Sequence, residues 1–79
     1  MMMIDSIDFE VDFHLYRVTL YRGGRADVFT HKNSRNGKSY LSAIKPGSQN
    51  HKKIMRELRK LAQPGGLLAD QIAQHDGVG

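Results

Sequence analysis

Three carboxylates at alternating positions, Asp8, Glu10 and Asp12, are the first residues whose type and spacing suggest chemistry. Oxygen donors for calcium are brought onto one ion by a tight, glycine-containing loop. Alternation along a strand instead spreads the acids about 6.6 Å apart on one face. We therefore expect a polar strand face and no metal site. Gly37-Lys38-Ser39 ends like a phosphate-binding loop, but that motif needs a glycine where Lys32 stands and a helix where a strand pattern follows. His14, His31, His51 and His75 show no i, i+4 pair of zinc-ligand type. His31 is expected at the core edge against Tyr16, and the other three at the surface. No serine lies on a Gly-x-Ser-x-Gly elbow. Neither a catalytic set nor a cofactor is expected, and the chain is read as a non-enzymatic binding protein.

The remaining chemistry is cationic. The net charge is +4, but residues 14–63 hold all 12 Lys and Arg and only Asp27 and Glu57 among the 8 acids, a local charge of +10 between acidic flanks. Such asymmetry speaks to partners rather than to fold. Lys52, Lys53, Arg56, Arg59 and Lys60 crowd one helical segment against Glu57 alone. Like charges at i, i+4 (Lys52/Arg56, Arg56/Lys60) destabilise an isolated helix, which suits contact with an anionic surface better than mere solubility. Arg17 and Lys32 are expected on an outward sheet face, and Arg35 and Lys38 at a hairpin tip able to reach phosphates. These nine bases are the candidate partner-binding residues.

The elements that must position them follow from periodicity. Ile7, Phe9, Val11 and Phe13 alternate with Asp8, Glu10 and Asp12, the pattern of a half-buried strand. The phase then flips, since Tyr16, Val18 and Leu20 are apolar at even positions. One unbroken strand from Ile7 to Arg22 would run ~53 Å at about 3.3 Å per residue, so a bulge, bend or break is expected near His14–Tyr16. Whether this acidic strand pairs within the chain or across a dimer stays open. Its edge invites pairing, so a homodimer is expected. Gly23-Gly24 and Asn36-Gly37 are expected as two-residue hairpin loops. That register sets Val18 and Ile44 on either side of Phe29, buries Phe29 under Leu58, and turns Val28, Thr30 and Lys32 outward with Arg17 and Lys45.

Pro46-Gly47 ends the third strand of this meander, and Ser48 or Asn50 can cap the helix that follows. Ile54, Leu58 and Leu61, at i, i+4 and i+7, form its apolar stripe, and Lys52, Arg56 and Arg59 line its outer face. Glu57 lies within i+4 reach of Lys53. Gln63-Pro64-Gly65-Gly66 stops the helix, and Leu67–His75 suits a short second one. The expected fold is α+β: a small antiparallel sheet of three to four strands on one main amphipathic helix, with a short C-terminal helix. Residues 1–63 are expected as one domain and 64–79 as a Gly/Pro break plus C-terminal segment.

The chain has no cysteine and hence no disulfide framework. No apolar run approaches the ~18 residues of a membrane span, and Met1–Asp5 lacks the basic and apolar regions of a secretory leader. A cytoplasmic protein with no membrane partner is expected.

Across Tyr16–Ala62, the hairpins Arg22-Gly23-Gly24-Arg25 and Arg35-Asn36-Gly37-Lys38 and the helix Asn50–Ala62 give a layout that resembles two groups. One is the DNA-binding arm domains of tyrosine-type integrases, in which a three-stranded sheet on one helix docks on duplex DNA. The other is the short phage and mobile-element inhibitors, anti-CRISPR proteins among them. The acidic strand Ile7–Phe13 has no place in the integrase pattern, and neither group's functional residues transfer to this chain. Two partners are thus expected in the alternative. One is nucleic acid, or the nucleic-acid-facing surface of a nucleoprotein complex. The other is a host defence protein complex that an inhibitor would block.

Overall fold

The computed structural model describes residues 2–77; Met1 and the last two residues of the 64–79 segment lie outside them. The chain runs β1 (Met3–Val11), β2 (His14–Tyr21), β3 (Ala26–Asn33), β4 (Ser39–Ile44), α1 (Gln49–Leu61) and α2 (Leu67–Asp76). It is a small α+β fold: one antiparallel sheet of order β1-β2-β3-β4 with two helices. Both helices pack on the same sheet face, α1 against β1 and β3, α2 against β1, β2 and α1.

The acidic strand pairs within the chain, Ile7 opposite Val18 and Phe9 opposite Tyr16. Of the bulge, bend or break expected near His14–Tyr16, the chain has a break just before it: a reversal in a loop of Asp12 and Phe13 closed by Val11 and His14. Both loop residues have positive φ, 50° and 67°, as a hairpin turn matched to strand twist requires. That reversal is the source of the phase flip. Phe9 and Val11 are buried, so the apolar face of β1 is covered without a second copy. β1 nevertheless remains an edge strand of the sheet.

The two glycine-marked turns are each one residue longer than expected. Tyr21 donates its backbone N–H to Arg25 O (3.0 Å), leaving Arg22-Gly23-Gly24 as the loop. In the next hairpin Gly37 N–H reaches Ser34 O (3.0 Å) and Ser34 N–H reaches Lys38 O (2.8 Å). Gly37, at φ 77°, then takes the left-handed position that ends a three-residue loop. Val18 therefore faces Val28, not Phe29, and Val28 faces Ile44. A shift of one residue turns every side chain of a strand over. The first shift inverts β3 and the second restores β4. Phe29 stands on the open face opposite Arg17 and Ala43, while Val28, Thr30 and Lys32 turn toward the helices. His31 lies on the open face too, its Nε2 3.8 Å from Asp8 rather than against Tyr16.

This inversion suits the helix layer. Ala26 and Val28 present small side chains where α1 crosses β3, and Leu20, Leu58, Val18 and Val28 form the fully buried centre. Ser48 caps α1 by accepting from His51 N–H (3.2 Å). His51, expected at the surface, is half-buried and its Nε2 donates to Ala26 O (3.0 Å), pinning the start of the helix to β3. Ile72 carries α2 into the core. His75, also expected at the surface, is buried and donates from Nδ1 to Tyr21 O (2.9 Å). Gln71 donates to Asp5 (2.7 Å).

Leu58→Ala removes a fully buried side chain and should cost about 2–5 kcal/mol, a large part of the stability of so small a domain. Phe29→Ala, on the open sheet face, should cost only about 1 kcal/mol. Denaturant melts of the two variants check this ordering. Its reversal would mean that β3 presents Phe29, not Val28, to α1.

Candidate cationic groove

The core face of the sheet loses its apolar character along β3 and β4. Past Val28 the inward residues of β3 are Thr30 and Lys32; before Ile44 those of β4 are Ser42 and Tyr40. β2 ends its pairing with β3 at Tyr16 and Thr30, so beyond that point β3 and β4 pair only with each other. The result is an open groove between this hairpin and the N-terminal half of α1, with a cavity volume of about 460 Å³. Tyr16, Thr30, Lys32, Ser42 and Ile44 form its sheet wall. Ser48, Asn50, Lys53 and Ile54 form its helix wall, with Lys45 at the junction. The first turn of α1 carries no acid, so the positive end of the helix dipole is not offset there.

Among the described residues, five bases are paired with acids inside the chain. Arg17 makes two hydrogen bonds to Asp8 (2.8 and 3.2 Å) and Arg25 meets Asp27 (3.4 Å) while lying over the Tyr21 ring. Lys53 holds Asp12 (2.9 Å), Arg59 clasps both Asp76 oxygens (2.8 Å each) and Lys60 meets Glu57 (3.2 Å). Hydrogen bonds from these bases, above all other causes, hold the Asp8, Asp12 and Asp76 carboxyls below the usual aspartate value. The same bonds raise Arg17, Lys53 and Arg59.

Seven bases have no acid partner among the described residues: Arg22, Lys32, Arg35, Lys38, Lys45, Lys52 and Arg56. Lys32 and Lys45 line the groove, Arg35 and Lys38 sit in the loop that ends its hairpin wall, and Lys52 and Arg56 lie on its helix wall element. Arg22, at the β2–β3 loop, donates to neutral Gln74 of α2 (3.1 Å).

The nine candidate bases thus separate. Lys32 and Lys53 come together in the groove, although Lys32 was expected on the opposite sheet face. Arg35, Lys38, Lys52 and Arg56 are exposed but do not line it, and Lys52 and Arg56 lie on the solvent face of α1, opposite Ile54. Arg17 is removed to the open sheet face, and Arg59 and Lys60 are engaged by Asp76 and Glu57. The expected Lys52–Arg56–Arg59 stripe is therefore broken at its last member, and Glu57 is taken by Lys60 rather than Lys53. Tyr16, Thr30, Ser42, Lys45, Ser48 and Asn50 were not recognised as parts of one site. The signal for them was the change from apolar to hydroxyl and cationic residues along one face of β3 and β4, readable only in the correct register.

No group of three or more histidine, cysteine or acidic residues is placed to hold a metal, and no helix is long and apolar enough to cross a membrane, among the described residues. Comparison with protein-family models, with curated proteins and with solved structures returns no match to this chain.

Asp76 loses its proton more readily in the folded chain than at the ordinary value of 3.8. Its pair with Arg59 is therefore complete at neutral pH. It weakens once the pH falls below that ordinary value, where the unfolded chain takes up protons first, and is gone below the depressed folded value. Asp76→Asn should lower stability at pH 7 by about 0.5–1 kcal/mol, the range of a solvent-screened pair, and should flatten the acid limb of the stability curve. Thermal melts from neutral to strongly acid pH check both; an unchanged acid limb would show that the pair contributes nothing.

Proposed function

We propose that this protein is a non-enzymatic nucleic-acid-binding module that holds the phosphate backbone in the groove between the β3–β4 hairpin and α1. The observation that carries the reading is the sorting of charge. Acids from β1, the β1–β2 loop and α2 pair with Arg17 on the open sheet face, Lys53 in the groove wall and Arg59 at the far end of α1. Of the bases left without an acid, Lys32 and Lys45 line one groove, and Arg35, Lys38, Lys52 and Arg56 lie on the hairpin loop and the helix that adjoin it. An isotropic distribution would serve solubility equally well; concentration along a concave surface raises the local potential and favours an anionic polymer. Thr30, Ser42, Ser48 and Asn50 add neutral hydrogen-bond donors of the kind that position phosphates without reading sequence.

Fluorescence anisotropy with short single- and double-stranded oligonucleotides tests the proposal. Engagement of about four phosphates gives a log–log salt slope near −3.6 on duplex DNA and about −2.8 on single strands. Reversing Lys32 and Lys45 together should abolish binding with little change in melting temperature, because neither forms an ion pair within the chain. The pair Arg56 and Arg59 is a poorer test, since reversing Arg59 also breaks its contact with Asp76. Absence of binding even at low salt overturns the proposal. If the same double reversal instead releases the protein from a purified host defence complex, the cations serve an inhibitor of that complex.

A further inference from the structure

Phe13 is the most exposed large apolar side chain among the described residues, with 96% of its surface open. It stands at the second position of the β1–β2 loop with φ 67°. Left-handed backbone at that position is ordinarily supplied by glycine or asparagine, and a bulky side chain there is an outlier. The phenylalanine does not contribute to the core, and its backbone conformation opposes folding. Strain of this kind, kept where it brings nothing to the fold, points to a role outside it.

The loop is also fixed in place. Asp12, its other residue, is held by Lys53 at 2.9 Å, and Lys53 is part of the groove wall. Tyr16, three residues along from Phe13 on β2, lines the same groove. An aromatic ring on a tethered two-residue turn is thus presented beside a cationic channel. Nucleic-acid surfaces that track an unpaired strand combine these two parts: a positive groove for the backbone and a projecting ring on which a base stacks. In duplex DNA the faces of the bases are already stacked on each other, so the ring would find them only in a single strand.

We propose that Phe13 is a stacking platform for an unpaired base, and that the preferred ligand of the groove is single-stranded nucleic acid. The inference rests on the nucleic-acid reading of the groove and narrows it to a ligand class. A membrane also accepts an apolar ring beside lysines, but it has no use for a concave groove lined with hydroxyls.

The chain has no tryptophan, so Phe13→Trp places a single reporter at the loop. Its emission should be quenched on titration with oligothymidylate, with affinity at least that of the unsubstituted protein. Phe13→Gly and Phe13→Asn both suit left-handed backbone and should melt no lower than the parent. Each should lose about tenfold or more in affinity for single strands, with the salt slope and the duplex affinity unchanged. If both variants keep full single-strand affinity, or if the tryptophan is unquenched while binding proceeds, the stacking role is wrong and the groove reading stands. Loss of the groove reading has a different signature: the unsubstituted protein fails to bind any oligonucleotide. A blue shift of the tryptophan on anionic lipid vesicles, with no response to oligothymidylate, would also overturn the stacking role.

Discussion

Val28 sits between Val18 and Ile44 in the sheet and belongs to the same buried cluster as Leu58 and Ile54 of α1. Because it and Ala26 are small, α1 can lie close enough for His51 to reach a strand carbonyl. The remainder of the architecture follows from that close approach. With the start of α1 tied to the first residue of β3, its length carries it away toward β1, and the far part of the β3–β4 hairpin is left without a helix above it. A larger residue at position 28 would lift α1 and break the contact at Ala26. The groove exists because the helix is pinned at one end of β3 and absent from the other.

Electrostatics repeats this division of labour. The acids of β1 and α2 are not a diffuse counter-charge: Asp8, Asp12 and Asp76 each meet one base at hydrogen-bond distance. Each pair is solvent-screened and stabilises little by itself. Their collective effect is on the distribution of charge. Lys53 is held by Asp12 on the side toward the β1–β2 loop, and Arg59 is drawn to α2, leaving Lys32, Arg35, Lys38, Lys45, Lys52 and Arg56 without local compensation. Stability and surface potential are set by the same contacts.

Much of this was legible in the sequence. The alternation from Ile7 to Val11, the Ile54–Leu58 spacing and the glycine pairs located strands, helix and hairpins, although Leu61, expected in the same stripe, is exposed and Phe13 falls in a loop. The handedness of β3 was not legible, because Gly23-Gly24 and Asn36-Gly37 are compatible with loops of two or three residues, and each extra residue inverts the next strand. Two such inversions cancel at β4, so agreement between Tyr16, Val18, Leu20 and Ile44 was no check on the strand between them. The ion pairs were hidden for another reason. Local spacing rules connect residues three or four apart on a helix, whereas Asp12 and Lys53 are 41 residues apart and Arg59 and Asp76 are 17 apart. The candidate site inherits both gaps: the two-residue register turns Lys32 to the open face, and local spacing leaves Arg59 without its partner Asp76.

Beyond Thr30 and Ser42 the two-stranded ladder has no other neighbour in the sheet. Its length is therefore uncoupled from the core, and insertions there meet few of the constraints that act elsewhere in the chain. Adding two residues to each strand would move the Ser34–Lys38 loop outward by about 7 Å while every side chain kept its face. Adding a single residue to one strand would turn the remainder of the hairpin over, exchanging the faces of the residues beyond it. Descendants of this sequence can thus lengthen the wall of the groove in discrete steps, like the teeth of a ruler, and the parity of the step decides whether the added surface faces the groove or the open side of the sheet.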